Sequence, residues 1–161
     1  MDVVTGNIRY VDTLDKVSRK RYDEKLEFCG GLDPYDIDLS VWDEDVNTWP
    51  EVEYGDIANY FVFTQSAYIF EEMKAYKALD SYNYFVSGWV SKIGCMYIEP
   101  GNNCIVTGKV KHSQRMNEAP LQPWIICEKS GKVICAHCKC MAGLRKAAAI
   151  LVHCYLLLMQ L

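Results

Sequence analysis

A chain of 161 residues, half of them apolar, suits one domain or a small domain with a satellite, and it can bury a real core, which excludes a disordered tail. Its formal net charge of −4 conceals an asymmetry: residues 1–60 carry 6 Lys/Arg against 15 Asp/Glu, whereas residues 103–161 carry 8 against 2. The acidic first part is unsuited to nucleic acid, and the basic second part is the half that suits a polyanion or an acidic protein partner.

The opening Met1-Asp2-Val3-Val4-Thr5 lacks the basic region and apolar run of a secretory signal. The eight cysteines are therefore expected in a reducing compartment, nucleus or cytoplasm, without disulfides. From Asp12 to Phe28, Leu14, Val17, Tyr22, Leu26 and Phe28 recur at helical spacing. The pattern predicts one amphipathic helix with Asp12 or Thr13 as its N-cap and Gly30-Gly31 as its stop. Within it Arg19-Lys20-Arg21 reads as a solvated face beside Asp23, Glu24 and Glu27, and Cys29 as a small core or surface residue.

Leu32 to Glu53 is punctuated by Pro34 and Pro50 and loaded with Asp36, Asp38, Asp43, Glu44 and Asp45 around Trp42, Val46 and Trp49. It reads as loop and short helix wrapped over a neighbour. Its carboxylates lack the order of a calcium loop and are expected to form a solvated acidic face. Tyr54–Phe63 and Tyr68–Phe85 are aromatic at 3- and 4-residue spacing, which predicts two core helices; a tyrosine row of this kind could stack on bases, but core packing is the better reading.

After Gly88 the pattern changes to strands. Trp89–Ile98, the turn Pro100–Asn103 and Cys104–His112 form one predicted hairpin. Pro123–Cys127, the turn Glu128–Gly131 and Lys132–Ala136 form a second, with a polar loop between them. The apolar stretch Ile150–Leu161 is shorter than the roughly 20 residues a membrane-crossing helix needs, so no span is expected.

The second hairpin runs into Cys135-Ala136-His137-Cys138-Lys139-Cys140-Met141-Ala142-Gly143-Leu144. Cys138 and Cys140 form a C-x-C pair at a hairpin exit, half of a four-ligand zinc site. Here the chain resembles the SWIM-type zinc finger, whose pattern is C-x-C, a short spacer, then C-x-H. The resemblance also covers Ser87–Val90, Val110–Met116, Pro120–Ile125, and upstream Cys29–Tyr35 and Asn59–Phe63, and it is to animal SWIM proteins whose longer members carry a YqaJ-like exonuclease domain beyond the finger.

The resemblance implies an α+β fold: a helical N-terminal region (1–86), then a β-rich region (87–161) ending in a small ββα zinc element at 135–161. It implies zinc as cofactor, with Cys138 and Cys140 as ligands. It also implies a non-catalytic module for binding DNA or protein. The family's Cys and His fall on Ala148 and Ile150, which cannot ligate metal. A shifted reading frame through permitted codons for Ala147–Leu158 gives Cys-Ser-His at the family spacing, which points to a frameshift, an alternative splice junction or an annotation error.

Substitute ligands are poorly placed. His153 and Cys154 are adjacent and diverge by about 100° on a helix, and strand alternation is expected to split a crowded Cys135, His137, Cys138, Cys140 set. Cys135 and His137 are otherwise ordinary hairpin residues. The alternative function is a cysteine- or metal-dependent enzyme fragment, with Cys138 or Cys140 as nucleophile and His112 or His137 as base. A third reading is a non-functional fragment of low solubility, since a helix over Ala147–Leu161 would expose Leu151, Tyr155 and Leu156.

Overall fold

The computed structural model describes residues 8–53, 55–56, 59, 90–99, 101–111, 117 and 119–139. Among them one α-helix and a four-stranded antiparallel sheet make a mixed α+β fold. The helix α1 spans Lys16–Glu27, and the strands are β1 (Val90–Tyr97), β2 (Asn103–Val110), β3 (Trp124–Glu128) and β4 (Val133–His137), in the order β1-β2-β3-β4. The expected helices over 54–63 and 68–85, the loop over 112–116 and the segment from Cys140 onward lie outside the described residues, except that Gly55, Asp56 and Asn59 are helical.

The predicted helix starts later than its apolar spacing suggests. Tyr10–Thr13 closes a 3-10 turn that absorbs Asp12 and Thr13, so the cap passes to Asp15. Its carboxylate accepts from the Val17 and Ser18 amides at 2.9 Å each, satisfying two of the donors every helix start leaves open. The stop is the expected one. Gly30 and Gly31 take positive φ, and the Gly31 amide returns to the Leu26 carbonyl at 2.9 Å.

Of the expected apolar anchors, Tyr22 is buried and Leu14 and Leu26 partly so, whereas Val17 and Phe28 are exposed. At 100° per residue the buried stripe runs through positions 14, 18, 22, 25–26 and 29, and 17 and 28 fall off it. Cys29 is fully buried on that stripe.

Both predicted hairpins form, and an antiparallel β2–β3 connection joins them into a meander. Register fixes the faces. The row Gly94, Thr107, Trp124, His137 and the row Met96, Ile105, Ile126, Cys135 lie on the side covered by α1. The row Cys95, Val106, Ile125, Ala136 and the row Tyr97, Cys104, Cys127 lie on the other. On the α1 side Val11, Tyr22, Cys29 and Trp42 pack with Ile105, Trp124 and Ile126 in one cluster, so both expected regions contribute to it.

The acidic stretch wraps its neighbour as its composition suggests. Asp33 caps a 3-10 turn, Trp42 packs with the α1-side cluster, and Asp43 exchanges two 2.9 Å backbone hydrogen bonds with Cys95, sealing the free edge of β1. Beyond this edge the chain reaches the other face: the Tyr97 hydroxyl donates to the Thr48 carbonyl at 2.8 Å, and Trp49 and Val52 are buried. Asp36, Asp38, Asp43, Glu44 and Asp45 are all exposed, a solvated acidic face as expected.

Candidate functional site

The end of β4 is where the sequence motif meets the first half of the chain. His137, paired with Trp124 across the ladder, projects toward α1 and sits among four aromatic rings. Ring centroids lie 4.7 Å away for Tyr22, 5.4 Å for Trp124, 5.5 Å for Tyr10 and 6.2 Å for Tyr35. The Tyr10 hydroxyl is 2.9 Å from Nε2, and the Lys25 ammonium, which donates to the Ala136 carbonyl at 2.8 Å, lies 3.4 Å from Nδ1.

Burial first, then the nearby ammonium groups of Lys25 and Lys139, push His137 down to about 3, so the imidazole is neutral at neutral pH. Burial also lowers the Lys25 ammonium, opposed by the Cys135 thiol beside it. The network assigns the tautomer. A protonated Lys25 has only donors to offer, so Nδ1 accepts, Nε2 carries the ring proton, and that N–H points at the Tyr10 oxygen.

Two further contacts tie the strand exit to the N-terminal half. The Lys139 ammonium stands 4.1 Å from the Tyr35 ring centroid and 4.7 Å from that of Tyr10, with those two rings edge to face at 5.1 Å. Beneath them the buried Asp33 carboxylate accepts from the Tyr22 hydroxyl at 2.7 Å and from the Tyr35 amide at 3.0 Å.

Cys138, the first of the two predicted zinc ligands, comes directly after β4 and is buried. It lies close enough to Tyr10 that, after burial, it helps push that phenol upward. Cys140, the second, lies outside the described residues, as do His112, His153 and Cys154. The described members of the crowded set do not form one cluster. Two residues apart, Cys135 and His137 share the α1 side of the sheet, and it is Cys138 that lies beyond the strand end. Among the described residues no three His, Cys, Asp or Glu side chains come together as a metal site, and both ring nitrogens of His137 already face protein partners.

No protein-family model matches the chain, and no curated protein or solved structure matches it. Three of the described thiols, Cys29, Cys95 and Cys135, are held protonated by burial. Burial pushes Cys135 and Cys95 up to about 11 and Cys29 up to about 12. Tyr10, Tyr35 and Lys25 are site residues that sequence reasoning missed. Tyr35 does fall in a stretch carrying the SWIM resemblance, but Tyr10 belongs to no periodic pattern, and Lys25 reads as one more charge on a polar helix.

Proposed function

We propose that the chain is a non-catalytic interaction module of SWIM type, with Cys138 and Cys140 as the retained half of a zinc site and the basic second half as its binding surface. The observation that carries this reading is the geometry of the β3–β4 hairpin. It ends at His137, and Cys138, the first cysteine of the pair, follows directly from a strand end held by Tyr10, Tyr22, Lys25 and Lys139. A rigid hairpin feeding two cysteines into the next segment is the first half of a ββα finger.

The zinc donor set is incomplete on its chemistry. Cys138 and Cys140 supply two thiolates of a tetrahedral four, Ala148 and Ile150 supply nothing, and His137 is engaged elsewhere. Partner binding is therefore not routed through zinc in this reading. Lys129, Lys132 and Lys139 are exposed, as is Lys111, and these side chains carry the attraction for a polyanion or an acidic protein.

The enzyme reading loses support from the same geometry. A His137 held near 3 is a poor general base, and its Nε2 faces a phenol rather than a thiol. No described helix is long and apolar enough to cross a membrane.

Two measurements test the proposal. Bound zinc per molecule is compared between this chain and one carrying Ala148→Cys, Ala149→Ser and Ile150→His; zinc in the repaired chain alone supports the half-site reading, and zinc in neither removes it. Binding to duplex DNA is then measured against salt. A steep log–log loss with ionic strength identifies phosphate contact, and binding to an acidic protein but not to DNA identifies the other partner class. Binding of neither overturns the interaction reading.

A further inference from the structure

A cavity of about 240 Å³ opens between α1 and the end of β4. Ser18, Arg21, Tyr22 and Lys25 line it from one helix face, at spacings of three and four residues, with Tyr10 and His137 facing them. Its chemistry is one-sided. No carboxylate lines it, and two cations do.

Among the described residues the ion pairs engage Arg9 and Arg19, and none engages Arg21 or Lys25. Asp15 is engaged by the Val17 and Ser18 amides and the Ser18 hydroxyl, and Asp33 by the Tyr22 hydroxyl. Lys25 is half-buried, and its only described oxygen partner is the Ala136 carbonyl. A desolvated ammonium without a counter-charge is an unusual arrangement unless an anion completes it.

The Tyr10 hydroxyl, 2.9 Å from His137 Nε2, lines the same cavity and adds a third group able to donate. Three donors of different reach, the Arg21 guanidinium, the Lys25 ammonium and the Tyr10 hydroxyl, converge on one space. At about 240 Å³ that space is smaller than the roughly 300 Å³ and above of pockets holding whole drug-sized ligands. It fits a terminal group rather than a nucleotide.

We propose that the cleft between α1 and β4 is a binding site for a small anionic group, a phosphate or a carboxylate, gripped by Arg21, Lys25 and Tyr10. The proposal uses neither cysteine of the C-x-C pair and stands whether or not zinc is held. Guanidinium offers paired N–H donors that match either anion, the ammonium adds a point charge, and the phenol fixes orientation.

The test uses the full chain and two probes, inorganic phosphate and acetate, each titrated at constant ionic strength with chloride as the background anion. The ring resonances of His137 are monitored by NMR. A saturable shift with phosphate assigns the site to phosphoryl groups, with acetate to carboxylates, and with both to either anion; each supports the proposal. Arg21→Ala, at an exposed position that leaves the fold intact, is expected to weaken binding at least tenfold. Tyr10→Phe is expected to weaken it about threefold, and Lys132→Gln, away from the cleft, to leave it unchanged. No saturable shift with either probe, or equal binding by wild type and Arg21→Ala, overturns the proposal.

Discussion

Replacing His137 by Phe keeps a ring among Tyr10, Tyr22 and Trp124 but removes the one described imidazole that folding holds neutral. In the folded chain the group titrates near 3 against about 6.5 when unfolded. Between those values the unfolded state binds one proton more than the folded state, so stability falls as pH falls through that window and is unaffected above it. A difference of one whole proton gives about 1.4 kcal/mol per pH unit. The ring is only partly buried and one edge meets the cavity, so solvent narrows the window over which that slope applies, and the expected loss is about 1–2 kcal/mol from pH 6.5 to 4.5. Urea unfolding at several pH values reads it as the difference between wild type and His137→Phe, in which carboxylate titrations common to both chains cancel. The variant itself carries a constant cost of about 1 kcal/mol for the lost hydrogen bond to Tyr10, visible at pH 7. Parallel pH profiles for the two chains would refute the buried, neutral imidazole.

Other perturbations reach different parts of the fold. Gly131→Ala in the β3–β4 turn is expected to destabilise by about 2–4 kcal/mol, since φ is +100° there and a Cβ would collide with the Glu51 carbonyl and lie 2.7 Å from the Asp56 carboxylate; thermal unfolding checks it. Tyr22→Phe withdraws a hydrogen bond from the buried Asp33 carboxylate and is expected to cost about 1.5–3 kcal/mol in the same assay. Lys139→Gln removes the ammonium from the Tyr10 and Tyr35 rings for about 0.5–1 kcal/mol, with faster hydrogen exchange at the end of β4 as its signature. Site-resolved thiol labelling at pH 7 should leave Cys104 and Cys127 unmodified until global unfolding, because both are fully buried, and should find Cys135 slow, because a thiol held near 11 is thiolate in only about one molecule in 10⁴. A Cys138 or Cys140 reacting far faster than the other cysteines would restore the enzyme reading.

The strands were legible because their signals are local. Alternation and the turn residues at Gly101 and Ser130-Gly131 place both hairpins to within two residues of their observed bounds. Helix α1 was legible in extent but not at its start, where the choice among Asp12, Thr13 and Asp15 depends on a 3-10 turn that no periodicity announces. The face of α1 was half legible. Val17 and Phe28 look apolar enough to anchor it, yet the sheet meets the stripe that carries Ser18 and Lys25 as well as Tyr22. The candidate site was the least legible part, since Tyr10, Lys25 and Tyr35 reach His137 only through contacts across more than a hundred positions of sequence.

That long-range convergence bears on what the C-x-C pair can do. A ββα finger that relied on zinc alone would need the metal to fix where its hairpin ends, as small zinc folds do. Here the hairpin end is fixed already. His137 is held on one ring nitrogen by Tyr10 and faced on the other by Lys25, and Lys139 on the far side of Cys138 rests on two tyrosines of the first half. The aromatic and apolar packing beneath it, Tyr22, Trp124 and Ile126, supplies the rigidity a metal would otherwise give. A strand end held this way presents the residues that follow it from a defined place on the sheet without a metal. Adding a chelator is accordingly expected to leave the sheet's hydrogen-exchange protection intact; loss of protection in β3 and β4 would show that the aromatic cluster does not hold the strand end by itself.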